Sequence, residues 1–317
     1  MYQPKVYKDS GGDRQVIAAG GILRMEPGSL IQYANPTGAA DYYVDGNVSA
    51  TGDGSIDSPY LTLAEAITAS NTSIGLTANR WWARRNRIFV MGDQEIDEDL
   101  TTGAEKCDIV GVGTDLLPFP RILGNHIFTT KCTGMRLINL GFMATAATAL
   151  LTFPDLNHGW QLIGCEMWPF LGGSTHAVRV QGCAHWKVLD CRIRPNVGDS
   201  SLFAEGIKQE VGSAQGHDNE IAGNYIRATE GIHALAGVSV QPGEIHHNRI
   251  HATALTVNDE SGLWEGYDNR LISDADSGAD ALGAIVATKS LWSGNKVTGV
   301  AGTEENADYP FPVQFTS

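Results

Sequence analysis

Positive charge is what this chain has least of. Lys and Arg number 22 against 36 Asp and Glu, the formal net charge is −14, and charged residues make up only 18% of 317 positions. That balance argues against nucleic acid as a partner, since phosphate binding requires clustered Lys and Arg. Long apolar runs are missing too. None approaches the ~18 residues of a membrane-crossing helix, so no membrane insertion is expected. The opening Met1-Tyr2-Gln3-Pro4-Lys5 lacks the charged-then-apolar layout of a secretory leader, and synthesis in a cytoplasm without a signal peptide is the expectation. Cysteine is scarce and odd in number: Cys107, Cys132, Cys165, Cys183 and Cys191, with no Cys-x-x-Cys pair. This points to reduced core thiols and away from a disulfide framework.

What the chain has in quantity is glycine, 37 residues, and a block that returns in phase. The block centres on Cys165, Cys191, Asn224, Asn248, Asn269 and Asn295, at spacings of 26, 33, 24, 21 and 26 residues. Two positions later stand Met167, Ile193, Ile226, Ile250, Leu271 and Val297, all apolar. One position later stand Glu166, Arg192, Tyr225, Arg249, Arg270 and Lys296, nearly all polar. Immediately before the centre come Gly164, Asp190, Gly223, His247, Asp268 and Gly294, mostly turn formers. Three before it are Leu162, Val188, Ile221, Ile245, Gly266 and Trp292. The pattern reads strand, tight corner, strand, and a fixed period of this size marks a solenoid whose repeats bury their apolar face against one another. An antiparallel sandwich would repeat its turn signals every ~8–12 residues instead.

A second strand per coil is expected at Val178–Val180, Ile207–Val211, Val238–Val240, Leu255–Val257 and Ile285–Ala287. Earlier coils centre near Leu140 and begin at Arg87–Val90 and Cys107–Val112. The fold class is therefore all-β, a single-stranded parallel β-helix of about eight coils over residues 86–300, with loops inserted at its corners. A corner Asn can bond its copies about 4.8 Å above and below, because its amide carries donors and an acceptor. It also tolerates the left-handed backbone that corners need. Cys is small and apolar enough for the same slot. Alternation then sends Arg192, Arg249, Arg270 and Lys296 outward and Ile193, Ile226, Ile250 and Val297 inward.

The leading part has another character. Residues 1–40 hold two short alternating runs, Gln15–Ala19 and Ile22–Met25, punctuated by Gly11-Gly12, Gly20-Gly21 and Pro27-Gly28. Runs this short have no core of their own and need a partner surface, so an attachment segment is expected. Residues 41–85 contain Ser58-Pro59, a cap with Pro in the first turn, and a capping box at Thr62-x-x-Glu65 ahead of Leu63, Ala66 and Ile67. This short helix would cover the open end of the solenoid. The stretch from Tyr43 to Ile67 resembles the lead-in of pectate-lyase-like right-handed β-helix proteins, especially tailspikes and related virion proteins of tailed bacteriophages. The Asn/Cys ladder matches the same superfamily, and Gly20-Gly21-Ile22-Leu23 with Glu26-Pro27-Gly28 is similar to phage attachment segments.

The resemblance implies a structural virion component, a decoration protein, spike or fibre, made in the host cytoplasm and docked on other virion proteins through residues 1–40. It also implies a homotrimer. The competing reading is a tailspike depolymerase acting on host surface glycan, with a pure glycan-binding adhesin as a third. β-helix glycosidases need carboxylates ~5–9.5 Å apart. The candidates are Glu205, Glu210 and Asp218, expected in one inserted loop near His217 with Asp155 on the adjacent coil; the ordinary reading of such acids is a solvated loop. The same-phase pair Asp190 and Asp268 lies three coils apart. No catalytic set is therefore assigned, and the chain leans away from being an enzyme. His246 and His247 are expected on opposite faces of a strand, so no metal site and no cofactor are assigned. Trp160, Trp186 and Trp264 share one phase and read as an inward stack. Arg192, Arg249, Arg270 and Lys296 form a basic stripe, read ordinarily as solvated, with a subunit contact as the alternative. The apolar stretch Tyr309–Phe315, within a C-terminal cap at 301–317, is expected to fold back on the last coil or a partner.

Overall fold

Strands whose apolar residues recur two apart must turn that face inward, and corners that recur in phase must stack. The computed structural model describes residues 6–8, 15–17, 39–75, 84–91, 95–113, 120–155, 157–196, 198–210, 218–235, 243–261, 264–274 and 292–298. The strands expected at 238–240 and 285–287, the run 22–25, His217 and residues 301–317 lie outside the described residues. Two compact units emerge. In the first, Met1–Pro36, the strands Val6–Lys8 and Gln15–Ile17 pair antiparallel. The described residues of the second, Thr37–Ser317, form a parallel β-solenoid.

The solenoid has three walls of ten, nine and six strands, each strand pairing in parallel with the equivalent strand of the next coil. Six coils contribute to all three walls, so the complete solenoid has about six turns and not about eight. The shortfall has a local cause at the N-terminal end. There Leu100 and Thr101 accept hydrogen bonds from Ile127 and Thr129 of the next coil without forming a strand themselves. The first strand of the ten-stranded wall is Asp41–Val44, which pairs with Asn86–Met91.

Register follows the sequence block. Leu162, Val188, Ile221, Ile245, Gly266 and Trp292 form one row. Met167, Ile193, Ile226, Ile250, Leu271 and Val297 form another. At the corner between them, the Asn248 backbone N–H donates to Asn269 Oδ1 at 3.0 Å. Its side-chain Nδ2 donates to Asn269 Oδ1 at 3.0 Å and to Ile221 O at 2.8 Å. Asn224 and Asn269 repeat this scheme onto Asn248 and Asn295. Cys191 N–H joins the ladder by donating to Asn224 Oδ1 at 2.8 Å.

The left-handed conformation falls one residue earlier than the Asn. Asn139, Gly164, Asp190, Gly223, His247, Asp268 and Gly294 all have φ between 52° and 69°. The central Asn is there for its amide, and its neighbour makes the turn. At Gly223 the glycine is also steric: an added Cβ would sit 2.2 Å from Asp190 Oδ1 of the preceding coil.

Trp160, Trp186 and Trp264 are fully buried. Phe128, Phe153, Trp160 and Trp186 stack in sequence with centroids 3.7–5.4 Å apart. Trp264 leans back across the narrow Gly243, where an added Cβ would meet its ring at 2.5 Å. All five cysteines are free and buried, and burial pushes the Cys107 and Cys183 thiols up to about 12.

The helix spans Leu63–Ile74. Thr62 is its N-cap and closes the capping box with Glu65, so Ser58-Pro59 lies ahead of the cap and not at it. Glu98 supplies a second cap from the solenoid, accepting from Leu63 N–H at 2.8 Å and Ala64 N–H at 3.1 Å. Leu63, Ala66 and Ile67 are buried in the core cluster. Among the described residues no helix is long and apolar enough to cross a membrane.

Candidate functional site

Two outward faces bring together clusters of acids with histidines and lysines. On the ten-stranded wall one row reads Asp41, Arg87, Asp108, Arg136, Gln161, Lys187, Glu220, Glu244 and Glu265, each in register with the next. Its early members pair: Arg87 with Asp41 at 2.7 Å, and Arg136 with Asp108 at 2.5 Å. Lys187 pairs with Glu220 at 2.5 Å and holds that carboxyl below the usual range. Glu244 and Glu265 follow without a lysine or arginine partner among the described contacts. The next row brings His246 and Tyr267 face to face, centroids 4.7 Å apart. His246 Nε2 lies 3.2 Å from Glu220 Oε1, and the Tyr267 hydroxyl donates to Glu244 Oε2 at 2.9 Å, a bond that raises the phenol's pKa. Lys187, Asp218, Glu220, Glu244 and Glu265 line a cleft of about 350 Å³.

The second face belongs to the six-stranded wall. Strand pairing sets His176 beside Glu205 and Glu205 beside Glu230, while Lys208 and His233 occupy the row three residues on. Glu205 is nearly buried. His176 Nδ1 lies 2.5 Å from its Oε2, His233 Nδ1 lies 2.6 Å from its Oε1, and Lys208 Nζ donates to both oxygens at 2.9 and 3.0 Å. Burial opposes ionisation of Glu205, but these three partners outweigh it and hold its pKa at about 2. Such a group stays a carboxylate and is no proton donor at neutral pH.

The sequence candidates do not converge. Glu205 and Glu210 lie on the strand Phe203–Glu210, not in an inserted loop. Five residues apart at ~3.3 Å each, they are roughly 16 Å distant along an extended strand. Burial opposes ionisation of Glu210 as well, and hydrogen bonds from Arg179 and Gln181 bring it below the ordinary range. Asp218 borders a strand of a different wall, highly exposed, 3.3 Å from His185. Asp190 and Asp268 occupy corner positions three coils apart. His246 and His247 do not diverge as expected: the left-handed turn at His247 swings its ring back until the two Nδ1 atoms are 2.8 Å apart. Arg192, Arg249, Arg270 and Lys296 stand exposed in one register on the nine-stranded wall.

Sequence reasoning passed over the acidic row, although its signal was present. Glu220, Glu244 and Glu265 each lie four residues before a ladder Asn, the same phase on consecutive coils. Compared with known proteins, the chain matches no family model, no curated protein and no solved structure.

Proposed function

We propose that this chain is a structural component of a tailed-phage virion, a decoration protein, spike or fibre, that docks through its N-terminal segment and projects its β-helix. The observation that carries this reading is the division into two units, a long in-register solenoid and a separate N-terminal unit. A two-stranded pair such as Val6–Lys8 with Gln15–Ile17 is marginal alone and gains stability on a partner surface. Association of three copies would bury three such segments together. The exposed stripe of Arg192, Arg249, Arg270 and Lys296 supplies charge that orients a neighbouring copy more than it adds affinity. The test is deletion of residues 1–35. A soluble solenoid with unchanged melting and no incorporation into particles is expected; a truncated chain that incorporates normally overturns the reading.

The acidic row favours a second reading, a depolymerase of host surface glycan. Carboxylates one coil apart are ~4.8 Å distant at the backbone and those two coils apart ~9.6 Å, bracketing the separations used in glycoside hydrolysis. Release of reducing sugar or unsaturated uronate from host glycan, lost in Glu244→Gln and kept in Glu210→Gln, would establish it. The structural reading expects no release.

A further inference from the structure

Glu205, Glu230 and His233 bring their ligand atoms within 4.8 Å of one another on the outer face of the six-stranded wall. We propose that these three side chains bind a divalent transition-metal ion of the zinc class, through His233 Nδ1 and one oxygen from each carboxylate. One imidazole with two carboxylates is a donor set that zinc accepts while leaving a position open. The inference is independent of the virion reading and stands or falls without it.

The local backbone is built to gather these groups. Residues three apart on a regular strand face opposite ways. Here Glu205 and Lys208 meet, as do Glu230 and His233, and a glycine lies between the members of each pair, Gly206 in one strand and Gly231 in the other. Neither glycine has room for a side chain. An added Cβ would lie 2.5 Å from Gly231 O at Gly206, and 2.3 Å from Thr256 O at Gly231.

The donors are also held from behind. His233 Nε2 lies 3.2 Å from Glu260 Oε1. Coordination through Nδ1 leaves the ring proton on Nε2, where Glu260 accepts it, the carboxylate–histidine support typical of metal ligands. His176 holds Glu205 Oε2 at 2.5 Å and Lys208 bonds both of its oxygens at 2.9 and 3.0 Å, fixing the carboxylate plane. Glu230 Oε2 is shut away from solvent and accepts no hydrogen bond among the described residues. His233 Nδ1, 3.4 Å from it, is turned to Glu205. A cation would give that oxygen its missing partner. It would also balance three carboxylates, Glu205, Glu230 and Glu260, that have Lys208 as their one lysine partner among the described contacts.

The full chain, stripped with chelator, is titrated with Zn2+ by calorimetry, with Mg2+ alongside. Uptake of one Zn2+ per chain is expected, with a raised Tm and no comparable response to Mg2+. Glu230→Gln should abolish uptake while leaving the metal-free Tm and circular dichroism unchanged, since its Oε2 accepts no hydrogen bond to lose. Glu260→Gln, which touches the imidazole and not the ion, should weaken binding about tenfold. His246→Gln should bind as the parent does. No uptake by the parent chain overturns the proposal, and so does uptake that survives Glu230→Gln. Uptake that disappears in His246→Gln overturns it as well, by placing the ion beside Tyr267.

Discussion

The outward row of the ten-stranded wall begins and ends differently. At the N-terminal end acid and base alternate, Asp41 with Arg87 and Asp108 with Arg136, and Arg85 adds a second partner to Asp108 at 2.6 Å. At the other end Glu220, Glu244 and Glu265 follow one another on consecutive coils, with Lys187 paired to the first. Like charges directly opposite on neighbouring strands are destabilising. The paired end therefore satisfies itself, while the acidic end holds a repulsion that a partner, a cation or a hydroxyl-rich ligand would relieve. Two ends of one row built on one scaffold thus differ in what they leave for others to bind.

Acid is the bluntest way to erase that difference, because it neutralises carboxylates at both ends. The N-terminal coils carry a further acid-sensitive group. His126 is fully buried, its Nδ1 accepts from Leu100 N–H at 3.1 Å, and burial lowers its pKa to about 4. The unfolded chain takes up this proton near pH 6.5 and the folded chain only near 4, so the contribution is complete above 6.5 and is lost as pH falls to 4. Two and a half pKa units correspond to an upper limit of about 3 kcal/mol. Urea midpoints measured from pH 7 to 4 should fall, and His126→Gln should flatten that slope. A slope unchanged in the variant would assign the acid loss to the carboxylates alone.

Register can be attacked next, since the row exists only while the corners stack. Asn248→Leu leaves Ile221 O and the Asn224 amide without their partner and should cost about 2 kcal/mol in urea unfolding. An effect under ~0.5 kcal/mol, the scatter expected of ordinary surface changes, would mean that the ladder does not set the register.

The smallest effects sharpen the comparison most, because they differ in sign. Arg136→Gln at the paired end removes a bidentate partner from nearly buried Asp108 and should destabilise by about 1 kcal/mol. Glu244→Gln at the acidic end removes a repulsion and should stabilise by a few tenths, roughly 0.2–0.5 kcal/mol. Equal signs for the two would erase the distinction between the ends.

The walls and their corner were legible in the sequence because period and turn chemistry are local. Asn224, Asn248 and Asn269 recur at the same offset from an apolar residue, and that offset is the register. The faces were less legible. Glu205 read as a loop acid because its partners His176 and His233 come from other coils, 29 and 28 residues away. No spacing rule announces that residues three apart, Glu205 with Lys208 and Glu230 with His233, meet on these strands. His247 was misplaced for a related reason: a period of two fails at a left-handed corner. The six complete coils fell short of the expected eight because repeat length alone does not tell which coils complete their third wall.

The proposal that this solenoid is a fixed part of a virion is tested most directly by immunogold labelling of purified phage particles from a culture that produces the chain, with antibody raised against residues 86–300. The expected result is gold at a constant location on intact particles. Particles without label, with all of the protein recovered from the soluble lysate, would contradict it.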